Sequence, residues 1–87
     1  MANEPIKRIK VGNGIRASIW KNQSKNNGSW LTVTITRTYR DKDSDEWKDT
    51  TSFRRDDLLF VAKASELAFA WCLQQKAKAD AETKSHE

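Results

Sequence analysis

Residues 30–40 read Trp30-Leu31-Thr32-Val33-Thr34-Ile35-Thr36-Arg37-Thr38-Tyr39-Arg40, and their aliphatic side chains alternate with polar or aromatic ones. A second run, Ile15-Arg16-Ala17-Ser18-Ile19-Trp20, alternates in the same way. A period of two is typical of a strand with one buried and one solvated face. The sequence therefore predicts two strands whose aliphatic residues share one face of a sheet.

The opposite face of these strands combines aromatic and cationic side chains. Besides threonines, it carries Arg16, Trp20, Trp30 and Arg40. Indole rings beside cations suit a single-stranded nucleic acid, because the cations bind its phosphates and its bases stack on the rings. Each stacked base contributes about 1–3 kcal/mol. Alternatively, Trp20 and Trp30 are near-opposite partners that only stabilise the hairpin, by about 0.2–1 kcal/mol. Both interpretations stay open at this point.

The 87 residues allow one small domain, and its charge is unevenly distributed. Residues 1–55 carry 12 Lys and Arg against 6 Asp and Glu, whereas residues 56–87 carry 4 Lys against 6 acids. An anionic partner is therefore expected on the strand-rich half of the chain. The alternative is an ordinary basic surface that keeps the protein in solution.

The sequence contains no recognisable targeting or membrane segment. No apolar run approaches the roughly 18 residues of a membrane span, and residues 1–5 lack the apolar core of a signal peptide. The lone Cys72 excludes an internal disulfide and fits a reducing compartment. These features predict a cytoplasmic location without membrane contact.

The predicted fold is α+β, with a four-stranded curved antiparallel sheet followed by one long C-terminal helix. The strands are expected at about residues 6–11, 15–21, 30–40 and 46–53, joined by short connections that favour a meander. The period changes at Arg55, where a helix without Gly or Pro begins. Residues 1–75 are assigned to the single domain, and residues 76–87 to a charged tail that frays or is disordered.

The predicted helix carries two apolar stripes on roughly opposite sides, at ~100° per residue. The first stripe contains Leu58, Ala62, Phe69 and Leu73, and the second contains Phe60, Ala64, Leu67 and Trp71. A helix on one sheet needs one apolar stripe, and so short a chain offers no further layer for the other. The second stripe is therefore predicted to form a homodimer interface, unless a strongly curved sheet encloses the helix.

Catalytic and metal-binding arrangements find no support in the sequence. The only histidine, His86, is the penultimate residue, and Cys72 lies on the apolar helix, so no nucleophile–base pair can be assembled. The acids Asp41, Asp43 and Asp45 begin a calcium-loop pattern that then lacks its Gly and its final Glu, so they predict a solvated turn. A non-enzymatic protein without cofactor, metal or small-molecule substrate is expected.

From residue 33 to residue 67 the sequence follows a longer pattern. The strand Ile35–Arg40 leads through the acidic turn Asp41–Asp45 to Glu46-Trp47-Lys48, and Asp56-Asp57 precede the first Leu of the helix. In this the chain resembles the transcriptional coactivator positive cofactor four, the related Whirly proteins and a group of small uncharacterised bacterial proteins. The family's Pro and Lys-Lys-Gly segment in strand four is absent, and residues 49–52 stand in its place.

The resemblance implies a helix-mediated dimer that binds single-stranded DNA on its curved sheet face, largely without sequence preference. It places that role on Arg16, Trp20, Trp30, Arg40 and Lys48. Together with neighbouring cations, the predicted nucleic-acid-binding residues are Arg8, Lys10, Arg16, Trp20, Lys21, Trp30, Arg40 and Lys48.

The sequence thus predicts a sequence-tolerant single-stranded nucleic-acid-binding protein, with DNA favoured over RNA, that assists transcription or DNA maintenance. One rival is a protein-interaction module that uses the Trp20 and Trp30 face as its anchor. Another is a binder of double-stranded nucleic acid that uses charge alone.

Trp47 shares a face with Phe53 and is predicted to lie in the core near Tyr39.

Overall fold

The computed structural model describes residues 4–25 and 28–85, with side chains described as far as Lys76. Strands β1 (Lys7–Gly12), β2 (Ile15–Ser24), β3 (Gly28–Arg40) and β4 (Trp47–Thr50) precede a 3-10 turn (Arg55–Asp57) and helix α1 (Leu58–Ser85). The strands form one antiparallel sheet in sequence order. The predicted four-stranded meander followed by one helix is confirmed. His86 lies outside the described residues.

The tight turn between β1 and β2 depends on backbone conformations that glycine adopts without strain. Gly12, Asn13 and Gly14 all have positive φ angles, of 130°, 54° and 77°. A Cβ atom on Gly14 would lie 2.5 Å from the carbonyl oxygen of Thr38, whose N–H donates to the Gly14 carbonyl at 2.8 Å. The turn therefore packs directly against the backbone of β3.

The core lies between the sheet and one side of α1. Ile15, Ala17 and Ile19 of β2 are buried against Ala64 and Ala68 of the helix. The alternation of β2 directs these three residues to the same face, as the sequence predicts. Two alanines in the helix let it approach the sheet closely, and α1 packs mainly on β1 and β2.

The start of the helix is closed by the side chain of Asp57. Its Oδ2 accepts the backbone N–H of Arg54 at 2.9 Å, and its own backbone N–H donates to the Arg54 carbonyl at 2.9 Å. Arg54 stands where a capping Ser or Thr is common, so the cap comes from a carboxylate within the first turn.

The prediction for the two helix stripes is wrong in its orientation. Ala64 is fully buried in the protein's own core, and Trp71 packs on the same cluster, while Leu67 is half-buried. Phe60 is close to Gly12, since a Cβ there would lie 3.3 Å from its ring. The stripe predicted to meet a partner is thus the one that faces the sheet.

The stripe predicted to cover the sheet is instead exposed. Its large members Leu58, Phe69 and Leu73 are 54%, 66% and 50% exposed. The two faces were interchanged because the sequence pattern shows only that there are two apolar sides, whereas the small volumes of Ala64 and Ala68 decide which side approaches the sheet.

Several predicted boundaries differ from the observed ones, and β2, for example, continues to Ser24, three residues beyond its predicted end. β4 ends at Thr50, three residues before the predicted end, and residues 51–54 form an irregular connection. The helix continues to Ser85, beyond the domain boundary predicted at residue 75, and fraying of the tail stays a prediction. With this long helix the chain is extended, measuring 59 × 31 × 15 Å with a Cα radius of gyration of 16.3 Å.

Candidate nucleic-acid interface

The sheet face that points away from α1 is here called the outer face. The register of β2 and β3 places Trp20 on it opposite Thr32, Ser18 opposite Thr34, and Arg16 opposite Thr36. β1 adds two cations, because Arg8 pairs with Ser18 and Lys10 pairs with Arg16. Strand alternation therefore brings most of the predicted polar and aromatic residues to one face.

Trp20 and Trp30 are diagonal neighbours on the outer face. Trp30 lies opposite Asn22, and Trp20 lies opposite Thr32, which is the next pair of residues on the same face. The Nε1–H of Trp20 donates to Oγ1 of Thr34 at 2.9 Å, which fixes its ring, while Trp30 is 48% exposed. Both indoles line one surface depression of about 510 Å³, together with Asn22, Gln23 and the oppositely charged side chains of Glu4 and Lys21. The predicted near-opposite placement is thus corrected to a diagonal one that leaves room between the rings.

Trp47 lies on the outer face, whereas the sequence analysis predicts it in the core. Its pairing with Arg40 places it on the same side as Thr38 and Asp49, and it is 70% exposed. The prediction failed because β4 is short. The chain leaves the sheet after Thr50, so the shared parity of Trp47 and Phe53 does not carry over to a shared face.

The cations of the outer face fall into two groups. Arg8 and Lys10 are exposed, and neither has an ion-pair partner among the described residues. Arg16 is paired, with its Nη2 2.8 Å from Oδ2 of Asp49, and the other oxygen of this carboxylate, Oδ1, accepts a hydrogen bond from the Thr38 hydroxyl at 2.6 Å. Arg40 is paired with Asp45. The face is therefore less positive than the count of basic residues indicates.

Two predicted binding residues do not belong to the outer face. Lys48 pairs with Tyr39, and its Nζ lies 2.7 Å from Oδ2 of Asp41. Lys21 pairs with Leu31 and alternates to the helix side, although it borders the depression near Trp20. Both corrections follow from the alternation of side chains along a strand. The two lysines were predicted as binding residues for their charge, without regard to the face that their position in the strand gives them.

The acidic turn is organised by its own carboxylate. Oδ1 of Asp41 accepts the backbone N–H of Asp43 at 3.1 Å, and Oδ2 accepts the hydroxyl of Ser44 at 3.2 Å. The nearby ammonium of Lys48 and these hydrogen bonds lower the pKa of Asp41 below its ordinary value, and Lys48 contributes most. The carboxylate is thus used within the turn, which fits the predicted solvated turn.

One charged cluster was missed by the sequence reasoning. Asp57 is 2% exposed and accepts a hydrogen bond from the side chain of Asn13, while its Oδ2 lies 3.2 Å from Nε of Arg37. The Arg37 guanidinium also lies 5.5 Å from the centre of the Tyr39 ring. The available signal was Arg37 itself, which occupies an inward position of β3 and therefore needs a buried partner. This cluster holds the fold together beneath the outer face.

Within the described residues, no helix has the length and apolar character to cross a membrane. Comparison of the chain with protein-family models, curated proteins and solved structures gives no match.

Proposed function

We propose that the outer face binds single-stranded nucleic acid, largely without sequence preference. The observation that carries this proposal is the depression lined by Trp20 and Trp30 on a face bordered by the unpaired cations Arg8 and Lys10. The exposed ring of Trp30 and the half-buried ring of Trp20 can each stack on any base, at about 1–3 kcal/mol per base. Cations along a strand attract the phosphate backbone of a nucleic acid.

The charges of the outer face suggest a path for the strand. The turn at residues 41–45 carries three carboxylates, and Asp49 neutralises Arg16 beside it. Phosphates are repelled there, so the strand is expected to cross β1, β2 and the Trp30 end of β3. Trp47 lies beside the acidic turn and outside this path.

The resemblance to positive cofactor four and the Whirly proteins supports DNA as the preferred ligand and an accessory role in transcription or DNA maintenance. A non-enzymatic protein in the cytoplasm fits such a role.

The test is the loss of binding when the two indoles are removed. Trp20→Ala with Trp30→Ala is expected to weaken binding of a labelled ~20-nucleotide single strand at least tenfold, because two stacking surfaces are lost. Trp47→Ala is the matched control on the same face, and we expect its affinity to change less than about threefold. Fluorescence anisotropy at two salt concentrations, with duplex as competitor, measures both.

If the double variant keeps its circular dichroism spectrum and its affinity, the stacking proposal is wrong. A wild-type protein that binds no single strand at low salt would favour the rival, a protein partner docked on the same face. That rival has some support in the ion pairs of Arg16 and Arg40, which leave the face only weakly basic. Equal competition by duplex would favour a binder that uses charge alone.

We also propose that the protein is a homodimer through the exposed helix stripe Leu58, Ala62, Phe69 and Leu73. Among the described residues five hydrophobic side chains are buried, whereas nine large ones are exposed, so the isolated chain leaves much of its apolar surface in water. The stripe is symmetric about the point between residues 65 and 66. An antiparallel two-fold pair therefore sets Leu58 against the partner's Leu73 and Ala62 against the partner's Phe69, small against large.

The dimer is tested by placing a charge in the stripe. Phe69→Lys is expected to give a folded monomer of 10.0 kDa in light scattering, because two ammonium groups would be buried at the contact. Ala70→Lys is the matched control, since Ala70 is exposed beside the stripe and not within it. A wild-type protein that is folded and monomeric at high concentration would contradict the dimer.

A further inference from the structure

One edge of strand β3 is open over most of its length. β3 runs from Gly28 to Arg40, but β4 pairs with it only from Arg37 to Arg40. Along Gly28–Thr36, β2 is the only strand that pairs with β3 among the described residues. Successive residues of a strand direct their backbone groups to opposite edges, so alternate N–H and C=O groups of this segment point away from β2.

The open edge of β3 lacks the features that keep sheet edges apart. Residues 29–36 contain no charged residue and no proline, and their pairing with β2 has no bulge. The opposite edge of the sheet is different, since β1 carries Lys7, Arg8 and Lys10 and a register shift near Gly12. Charges and bulges are the common means of blocking edge pairing. β1 is thus protected as an edge, whereas this segment of β3 has the character of a strand that is paired.

The inner side of the open segment is also incompletely covered. Because α1 packs mainly on β1 and β2, a groove of about 260 Å³ remains between the helix and β3. It is lined by Val33 and Ile35 of β3 and by Phe69 of the helix, and Val33 is 39% exposed. The groove borders the open edge on one side and the exposed helix stripe on the other.

From these observations we infer that β3 pairs antiparallel with β3 of a second copy, joining two four-stranded sheets into one continuous sheet. The inference rests on the proposed homodimer and adds a sheet contact at the β3 edge to its helix contact. A second copy fits because a two-fold axis makes identical strands antiparallel, and an uncharged segment brings no like charges together. The same axis brings Val33 and Phe69 of one copy close to Val33 and Phe69 of the other. At this contact the side chains of each copy fill space beside the groove of its partner.

The pairing also has a consequence for the outer face. A two-fold axis normal to the joined sheet keeps both outer faces on the same side. The two pairs of indoles at Trp20 and Trp30 would then lie on one surface, so one strand of nucleic acid could contact both copies.

The test is hydrogen exchange of the β3 amides measured by NMR as a function of protein concentration. Within residues 29–36, the amides that bond to β2 serve as internal controls, and the alternate amides report on the open edge. If a second β3 covers the edge, exchange of the alternate amides slows about fourfold when the concentration rises from a tenth to ten times the dimer dissociation constant. The control amides are protected equally at both concentrations.

Light scattering on the same samples separates the possible outcomes. A dimer whose alternate amides exchange at a rate independent of concentration would overturn the edge pairing and leave the helix contact and the nucleic-acid proposal standing. A monomer at every concentration would overturn both the edge pairing and the dimer, again without bearing on binding at the outer face.

Two proline variants provide a second measurement. Of the N–H groups of Thr32 and Val33, one bonds to β2 and the other points to the open edge. We therefore expect one of Thr32→Pro and Val33→Pro to remain folded as a monomer and the other to lose stability. Dimerisation of both variants at the wild-type concentration would overturn the pairing.

Discussion

Asp57 connects three parts of the chain that are far apart in sequence. Its carboxylate meets Asn13 in the first turn, Arg37 in β3, and the backbone of Arg54 before the helix. A buried carboxylate is costly unless charge and hydrogen bonds compensate it, and here both do. The side chain therefore fixes where the helix begins relative to the sheet.

Removing this carboxylate is expected to destabilise the protein strongly. Asp57→Ala should lower the free energy of unfolding by about 3 kcal/mol, because it leaves the Arg37 guanidinium without its partner. Urea denaturation measures the change. Asp56→Ala is the control, since the Asp56 side chain is 88% exposed, and its effect should stay within about 0.5 kcal/mol. Equal effects of the two variants would contradict the role of Asp57.

The carboxyl group of Asp41 gives a prediction for pH. Its pKa is lowered mainly by Lys48, so Lys48→Gln should raise the pKa of Asp41 towards the ordinary value. The stabilisation from this group is present above its unfolded-state pKa and is lost as the pH falls through the folded-state pKa. NMR titration of the side-chain carboxyl carbon measures the shift. An unchanged titration would mean that the hydrogen bonds within the turn suffice.

Residue by residue, the candidate site was predicted unevenly. Arg8, Lys10, Arg16, Trp20, Trp30 and Arg40 share the outer face because alternation in long strands is a reliable guide. Lys21 and Lys48 were included for their charge, and alternation places both on the other side. The partners Asp49 and Asp45 could not be predicted, since side-chain ion pairs depend on the register of distant strands.

At the scale of elements, the first turn is the most constrained connection in the fold. Gly14 has a positive φ, and its Cα lies against the carbonyl of Thr38. Gly28 has the same φ of 77°, but a Cβ atom there would meet nothing within 4 Å. The two glycines therefore separate the effect of backbone strain from the effect of a steric clash.

Gly14→Ala and Gly28→Ala are expected to differ in stability. Both pay about 1–2 kcal/mol for the left-handed conformation, and only Gly14→Ala must also move the turn away from β3. We expect Gly14→Ala to exceed Gly28→Ala by at least about 1 kcal/mol in chemical denaturation. Similar losses in the two variants would show that the turn can shift without cost.

The elements themselves were largely predictable, but their packing was not. Alternation identified β2 and β3, and the change of period located the helix, because both signals are local. Which helix stripe meets the sheet depends on how Ala64 and Ala68 fit against Ile15 and Ile19, which is a property of two elements together. The early end of β4 and the open edge of β3 are likewise results of packing.

For the whole molecule, ion pairs set the strength of any electrostatic binding. Asp49→Asn removes the only acid that register places on the outer face within the described strands, and it releases Arg16. We expect tighter binding of single strands. We also expect a steeper salt dependence, with the slope of log association constant against log salt concentration more negative by about 0.7. Asp56→Asn changes the net charge equally but away from the sheet, so it serves as the control in the same anisotropy titrations. Equal effects would show that net charge alone governs binding.

The extended outline of the chain affects how its size is measured. A compact protein of 87 residues has a radius of gyration of about 12 Å, whereas this chain has 16.3 Å because α1 continues to Ser85. Such a particle diffuses slowly for its mass and leaves a sizing column early. A single copy would therefore elute like a larger globular protein, and an early elution volume would resemble that of two copies. Its oligomeric state is best determined by methods that measure molar mass independently of shape, such as light scattering or sedimentation equilibrium.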